Sequence, residues 1–421
     1  MQNLATSNTP LVPDAAYQPA TLFLGLAPFL RMSIAGTDFT SLAEEMLAKA
    51  ERYPDDAELW MNLSTVMMCL KQLKVGLVIQ EQALTMQRLF RLPASRQPAK
   101  LRLLMLMMPG DLSANMPLDC LLENSDVDLL YYYITPDTPL AWPLPEHDVV
   151  LVAISAADES REPLAQLERA LANWPKPVIN APQHIPASER YEASMLLQNA
   201  PGLSICPALH VSRATLQRVA AGITPLAEAV EGYDFPIILR PVGSHGGRGL
   251  ARIDALPAVS AYLADIDAEQ YFLSRFVDYS GPDGLFRKFR IVLIGGRPYA
   301  CHMAISSHWM IHYVNAGMYE DEKKRAEEAA FFTHFDAFAQ RHRGALEAIY
   351  QRTHLDYIGI DCAETRDGEL LVFEIDPAMV VHAMDQEKIF PHKQYHMQKV
   401  KDALRELLLL RAAENPLSQP L

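Results

Sequence analysis

The spacing of apolar residues changes character along the chain. From about 20 to 92 it is helical, as in "DDAELWMNLSTVMMCLKQLKVGLVIQEQAL" (55–84), which predicts two amphipathic helices around "KQLK". Residues 1–18 are polar with prolines and read as a loose arm, and "PASRQP" (93–98) as a linker. Short continuous apolar runs then take over: "LRLLMLMM" (101–108), "VDLLYYYI" (127–134), "DVVLVAI" (148–154) and "KPVIN" (176–180). With the helically spaced "EPLAQLERALANW" between the last two, they predict a parallel sheet covered on both faces.

A third regime begins at about 186. "ASERYEASMLLQNA" (187–200) predicts a helix with Ser188 near its N-terminus, followed by a strand in "LSICPALHVS" and a helix at 214–221. "FPIILRP" and "LARI" predict strands on either side of a glycine-rich loop, with a helix at 257–265 and a strand in "QYFLSRFV" (270–277) after them. "FRKFRIVLIGGRPYACHMAIS" (286–306) predicts a hairpin over Gly295-Gly296. "YIGIDCAET" and "ELLVFEIDP" predict a second hairpin over "RDG", with helix before it and a closing helix at 394–413. The expected organisation is a helical domain at 1–98, an α/β domain at 99–185 and a two-lobed domain at 186–421, its lobes 186–275 and 276–421.

Composition narrows the function classes. Lys and Arg total 37 against 51 Asp and Glu, a formal charge of −14, which argues against a general binder of nucleic acid or anionic membrane and leaves room for a local basic pocket. The cysteines Cys69, Cys120, Cys206, Cys301 and Cys362 are scattered without a CxxC pair, so reduced thiols in a cytoplasm are expected rather than a disulfide framework or a zinc site. No signal peptide is evident, and no apolar run approaches the ~18 residues of a membrane span. A cytoplasmic protein is expected.

The candidate chemistry starts at "RPVGSHGGRG" (240–249), where Gly243, Gly246, Gly247 and Gly249 crowd seven positions. The loop matches neither GxGxxG at a helix mouth nor GxxxxGK[ST]. Between two antiparallel strands it can fold over a triphosphate, its amides unshielded by Cβ atoms and its charge supplied by Arg240 and Arg248; the other reading is a mobile surface loop. In the second hairpin Asp361 faces a strand carrying Glu374 and Asp376 on one side. Three carboxylates converging inside apolar strands repel each other unless a hard cation such as Mg²⁺ joins them, the alternative being a wet strand face. Arg287, Lys288 and Arg290 cluster at the start of the first hairpin, and Arg290 alternates with Phe289 and Ile291, so it points off the apolar face and can clamp phosphate.

This order of elements resembles the ATP-grasp superfamily over about 100–400, and within it the RimK-like carboxylate–amine ligases. The resemblance implies an α/β fold: an α+β ATP-grasp body with a parallel-sheet pre-domain. It implies that Arg240 and Arg190 hold the positions of two nucleotide-binding lysines, and that Gly243, Ser244, Gly246, Gly247, Gly249 and Lys288 meet the phosphates. It gives Arg275, Phe276 and Val277 the part of the adenine hinge, Arg290 the γ-phosphate, and Asp361, Glu374 and Asp376 two Mg²⁺ ions, Mn²⁺ being the alternative. Asn315 and His382 become catalytic candidates, with His308 and His312 beside Asn315. The chain departs from the pattern in both lysines, in Asp376 for asparagine, and at Ser274 or Arg275 for a hinge acid. Trp60, Leu63, Ser64, Met67, Gly76 and Ala83 fall on the positions of a tetratricopeptide repeat, which implies an N-terminal all-α repeat domain. Such a domain binds a protein or peptide partner or serves as an intramolecular buttress.

The implied reaction is ATP-dependent activation of a small-molecule or peptide carboxylate as an acyl phosphate, then capture by an amine. No nucleic-acid or membrane partner is expected; a homodimer is. The rival readings are a scaffold whose repeats mediate interaction while ATP is structural, and a kinase-like transferase, against which the missing HRD and DFG motifs speak.

Overall fold

The computed structural model describes residues 21–135, 139–141, 143–244 and 247–414. The arm expected at 1–18 lies outside the described residues. Four helices open the described chain: α1 (Ala27–Ile34), α2 (Thr40–Arg52), α3 (Ala57–Cys69) and α4 (Leu73–Met86). Asp56 caps α3 by accepting from the Leu59 N–H at 3.0 Å. The small residues bring α3 and α4 together: Ser64 Oγ donates to the Gly76 carbonyl at 2.7 Å, and a Cβ on Gly76 would lie 2.8 Å from Met68 Cγ. Ala57, Met61 and Ala83 join Phe90, Tyr131 and Tyr133 in one buried cluster, so this helical layer is packed onto the sheet that follows.

Helical spacing misleads at the end of that stretch. Leu89–Leu92 is not helix but a strand, β1, paired antiparallel with the later β3. Two buried residues, Leu89 and Phe90, are too few to declare a period, and the pairing partner lies some forty residues away. The elements that follow are β2 (Leu101–Met107), α5 (Asp119–Leu122), β3 (Val127–Tyr133), β4 (Val149–Val152), α6 (Arg161–Leu171) and β5 (Val178–Ile179). The order is β1-β3-β2-β4-β5, with β2 to β5 parallel as the unbroken apolar runs require. The chain leaves β2 for β3 on one side and returns across it to β4 on the other. The carboxyl ends of β2 and β4 therefore flank a topological switch point, the edge at which open α/β sheets present loops to ligands.

Next comes α7 (Arg190–Leu196), which begins later than expected. Ser188 ends a 3-10 turn and donates to the Ile185 carbonyl, while Glu189 caps the helix by accepting from the Tyr191 and Glu192 amides at 2.9 and 3.2 Å. "LSICPALHVS" divides into β6 (Leu203–Ser204) and β7 (Leu209–Ser212). Then follow α8 (Arg213–Ala220), α9 (Leu226–Ala229), β8 (Ile237–Pro241), β9 (Ala251–Ile253), α10 (Leu256–Asp265) and β10 (Gln270–Arg275). These strands make an antiparallel sheet, β7-β10-β8-β9, with its own core built from Leu216, Ile237, Leu239, Val259 and Tyr271.

The last sheet holds β11 (Phe286–Ile294), β12 (Arg297–Ser306), β13 (Tyr357–Glu364) and β14 (Leu370–Asp376), in the order β12-β11-β13-β14-β6. Between its hairpins lie α11 (Glu322–Thr333), α12 (Phe335–Arg341) and α13 (Arg343–Thr353), and after them α14 (Pro391–Ala413). Gly295 and Gly296 both take positive φ, +55° and +78°, which the two-residue turn between β11 and β12 demands. The fold is mixed α/β with an α-helical layer at its N-terminal side.

Candidate active site

Strand register assembles the centre. In β11 Arg290 is opposite Asp361 of β13, and Asp361 is opposite Glu374 of β14, so three charged side chains lie in one row across three strands. The Arg290 guanidinium grips Asp361 with two hydrogen bonds, Nε to Oδ1 at 2.7 Å and Nη2 to Oδ2 at 2.9 Å, and its remaining Nη1 donates to the Val380 carbonyl at 2.9 Å. Lys288, two residues earlier on the same face, brings its Nζ 2.6 Å from Asp361 Oδ2. Arg287 is on the other face and pairs with Asp283 and Glu327, so the basic cluster of the sequence is divided between two sides of the strand.

The second wall carries Arg240 and Arg190. Arg240 is the penultimate residue of β8 and is buried; its guanidinium reaches the Ser244 hydroxyl and carbonyl at the start of the glycine loop. Arg190, at the first turn of α7, donates to the Phe373 carbonyl at 3.1 Å and lies 3.2 Å from Glu374 Oε1. The two walls enclose a cavity of about 490 Å³ that touches Arg190, Arg240, Lys288, Arg290, Asp361, Glu374 and Asp376. A smaller space of about 230 Å³ adjoins it, bounded by Gly243, Ser244, Arg190, Glu374, Asp376 and the loop after β4.

Burial governs the charges here. It would raise Asp361, but Arg290 and Lys288 hold that carboxyl well below the usual range. Burial likewise opposes ionised Glu374, and Arg190, Arg240 and Lys288 together still hold it below its ordinary value. At Asp376 burial, and next the charge of Glu374, prevail over the smaller pull of the Ala378 N–H, Arg290 and Arg190 and push it up to about 7. Burial, with Arg190 adding to it, brings Arg240 down to about 10.

Gly243, Gly247 and Gly249 take φ of +71°, +72° and +67°, so the loop is shaped by residues without Cβ. Gly247 lies against His312, whose Nε2 would be 2.3 Å from a Cβ at that position. Gly246 and its neighbour His245 lie outside the described residues. Ser274, Arg275, Phe276 and Val277 line the large cavity. The Phe276 N–H is spent on the Pro236 carbonyl at 3.2 Å, whereas the Val277 N–H donates no backbone bond among the described residues. Phe276 is itself held between Arg252, 4.1 Å over its ring, and the edge of Trp309.

Two expected catalytic residues do not reach the cavity. Asn315 is exposed and caps a short turn: its Oδ1 accepts from the His312 N–H at 2.9 Å. His382 lies beside the row but turns its Nδ1 to the Met384 N–H at 3.2 Å. His308 is exposed, and of that segment Trp309, Met310, Ile311 and His312 form the wall. Among the described residues no three His, Cys, Asp or Glu side chains come together as a metal cage. Asp361 differs from the expected convergence because both its oxygens are committed to cations.

No family model matches this chain, and no curated protein matches it. Solved structures of similar arrangement include the D-alanine–D-alanine ligase from Coxiella burnetii, 12% identical, covering 76% of this chain and 97% of that one with a TM-score of 0.46. D-alanyl-alanine synthetase A from Vibrio cholerae is 13% identical over 75% of this chain and 99% of its own, at a TM-score of 0.45. A RimK domain ATP-grasp protein from Sphaerobacter thermophilus is 15% identical over 73% and 99%, at 0.41. At these scores the likenesses carry no function across to this chain.

The donor set suits a hard divalent cation at Glu374 and Asp376. Glu374 Oε2 and Asp376 Oδ2 accept no hydrogen bond among the described residues, and the burial and neighbouring Glu374 charge that raise Asp376 are what such an ion offsets. Sequence reading missed Leu112 and Ser113, which also line the large cavity. Their signal was positional: they follow the first strand of a parallel sheet, on its carboxyl side.

Proposed function

We propose that the chain is an ATP-dependent ligase of the ATP-grasp kind, forming a C–N bond between a carboxylate and an amine with release of ADP and phosphate. The observation that carries this reading is the row Arg290–Asp361–Glu374 facing Arg190 and Arg240 across one cavity, with the glycine loop at its border. The cationic side chains concentrate positive charge where a triphosphate needs it, in a space partly withdrawn from water. Arg240 and the loop amides hold the α- and β-phosphates, and Phe276 and Val277 take the adenine. Glu374 and Asp376 would hold Mg²⁺, which when bound offsets the charge of the phosphates.

Arg290 orients the γ-phosphoryl group, its plane fixed by Asp361 and the Val380 carbonyl. A substrate carboxylate oxygen attacks the γ-phosphorus, the bond to the β-phosphate oxygen breaks, and ADP departs. The amine then attacks the acyl carbon, expels phosphate carrying that carboxylate oxygen, and loses a proton. The side chains position and shield; none is required as a covalent nucleophile. The reading is tested by measuring ADP release from ATP with panels of carboxylates and amines. Glu374→Ala is expected to abolish substrate-dependent release, whereas unchanged turnover would remove Glu374 from the site. ATP binding with no turnover on any pairing would favour the structural-nucleotide scaffold.

A further inference from the structure

Among the described residues, the helical layer hydrogen-bonds to the cavity-wall loop through the side chain of Gln80. Gln80 of α4 is buried, 7% exposed, and its amide faces the backbone of Gly110, thirty residues on. The Gly110 N–H donates to Gln80 Oε1 at 2.8 Å, and Gln80 Nε2 donates to the Gly110 carbonyl at 3.0 Å. A planar side-chain amide thus meets both backbone polar groups of one residue, as a neighbouring strand would, and at a single register.

Gly110 lies near the start of the loop between β2 and α5. The same device closes that loop from within: Asn115 Oδ1 accepts from the Met108 N–H, and its Nδ2 donates to the Met108 carbonyl, both at 2.7 Å. Asp111 Oδ1 accepts from the Ser113 N–H at 2.8 Å and from the Ser113 hydroxyl. Between the two amide clamps sit Leu112 and Ser113. They are the contribution of the parallel-sheet layer to the large cavity among the described residues, and Leu112 keeps 37% exposure there despite being apolar. The loop stands at the carboxyl end of β2, beside the switch point. Gly110 is the fitting residue for such a clamp, since a Cβ on it would lie 2.6 Å from the Ala114 Cβ.

We propose that the N-terminal helices act as an intramolecular brace for the Gly110–Asn115 wall of the cavity, with Gln80 as the positioning residue. On the ligase reading, on which this rests, the nucleotide is held by the other two sheets, and Leu112 and Ser113 face the acid or amine. Loss of the clamp therefore loosens the hold on those substrates and leaves the hold on ATP intact. The helices matter to the reaction without touching any reactant.

The experiment compares the native chain with Gln80→Leu and Gln80→Glu. Leucine removes both bonds; glutamate keeps the acceptor for the Gly110 N–H and loses the donor. ADP release is followed against the concentration of a pooled set of amino acids, and nucleotide affinity by titration with a fluorescent N-methylanthraniloyl ATP. The half-saturating pool concentration rises on the order of tenfold in Gln80→Leu and by less in Gln80→Glu, with the same nucleotide affinity in all three. Equal losses in pool and nucleotide affinity, or no change in either, overturn the brace. If the pool drives no ADP release from the native chain, it holds no substrate pair for the site, and hydrogen exchange decides the brace. Faster exchange across 110–115 in either variant, with α3 and α4 still protected, supports it; unchanged exchange there overturns it.

Discussion

Arg290 and Asp361 are partners twice over: they are opposite each other in the register of β11 and β13, and they share two hydrogen bonds, at 2.7 and 2.9 Å. Asp361 is 2% exposed. Removing Asp361 leaves the Arg290 charge without its carboxylate, and removing Arg290 leaves the buried Asp361 to Lys288 alone. Arg290→Ala and Asp361→Asn are each expected to cost about 3–5 kcal/mol in urea unfolding, and both to lose ADP release. Arg290→Lys keeps the charge but not the fork; it should unfold closer to the native chain and still turn over poorly. A native-like urea midpoint for Arg290→Ala would mean that the pair does not exist in solution.

Gly247 gives a sharper probe of the loop. A side chain there meets a left-handed backbone, costing roughly 1–2 kcal/mol, and collides with the His312 ring. Gly247→Ala should weaken ATP binding, read by isothermal titration. In the double variant with His312→Ala the collision is gone and the backbone strain remains, so part of the affinity returns. Additive losses in the two single variants would show that the loop does not close on His312.

Arg240 tests whether a nucleotide site works with arginine where the resembled family has lysine. Arg240→Ala should raise the dissociation constant of ATP about 10–100-fold. Arg240→Lys retains the charge and loses the reach to both Ser244 groups, so its loss should be smaller, about tenfold or less. Equal losses for both would place the importance in the bonds to Ser244 rather than in the charge.

Much of this site was legible from local pattern. Period-two alternation put Glu374 and Asp376 on one side of a strand, the "RDG" turn put Asp361 on its partner, and the glycine spacing marked the loop. What local pattern could not give was register across long separations. Arg290 and Lys288 reach Asp361 from about seventy residues away, so the expected metal ligand is met by two cations. The strand Leu89–Leu92 escaped because its partner, β3, lies beyond the linker. Gln80 looked like one polar residue of an amphipathic helix, and only the folded chain puts it against Gly110. Asn315 and His382 followed from their place in the order of elements, and in the fold each accepts a bond from a nearby backbone N–H and neither lines the cavity.

The most direct test of the ligase reading follows one oxygen atom. With the substrate acid labelled by ¹⁸O in its carboxyl group, an acyl phosphate intermediate must deliver one labelled oxygen to the phosphate released with the amide. The account predicts phosphate carrying a single ¹⁸O, in step with ADP and product. Unlabelled phosphate accompanying amide formation would contradict it.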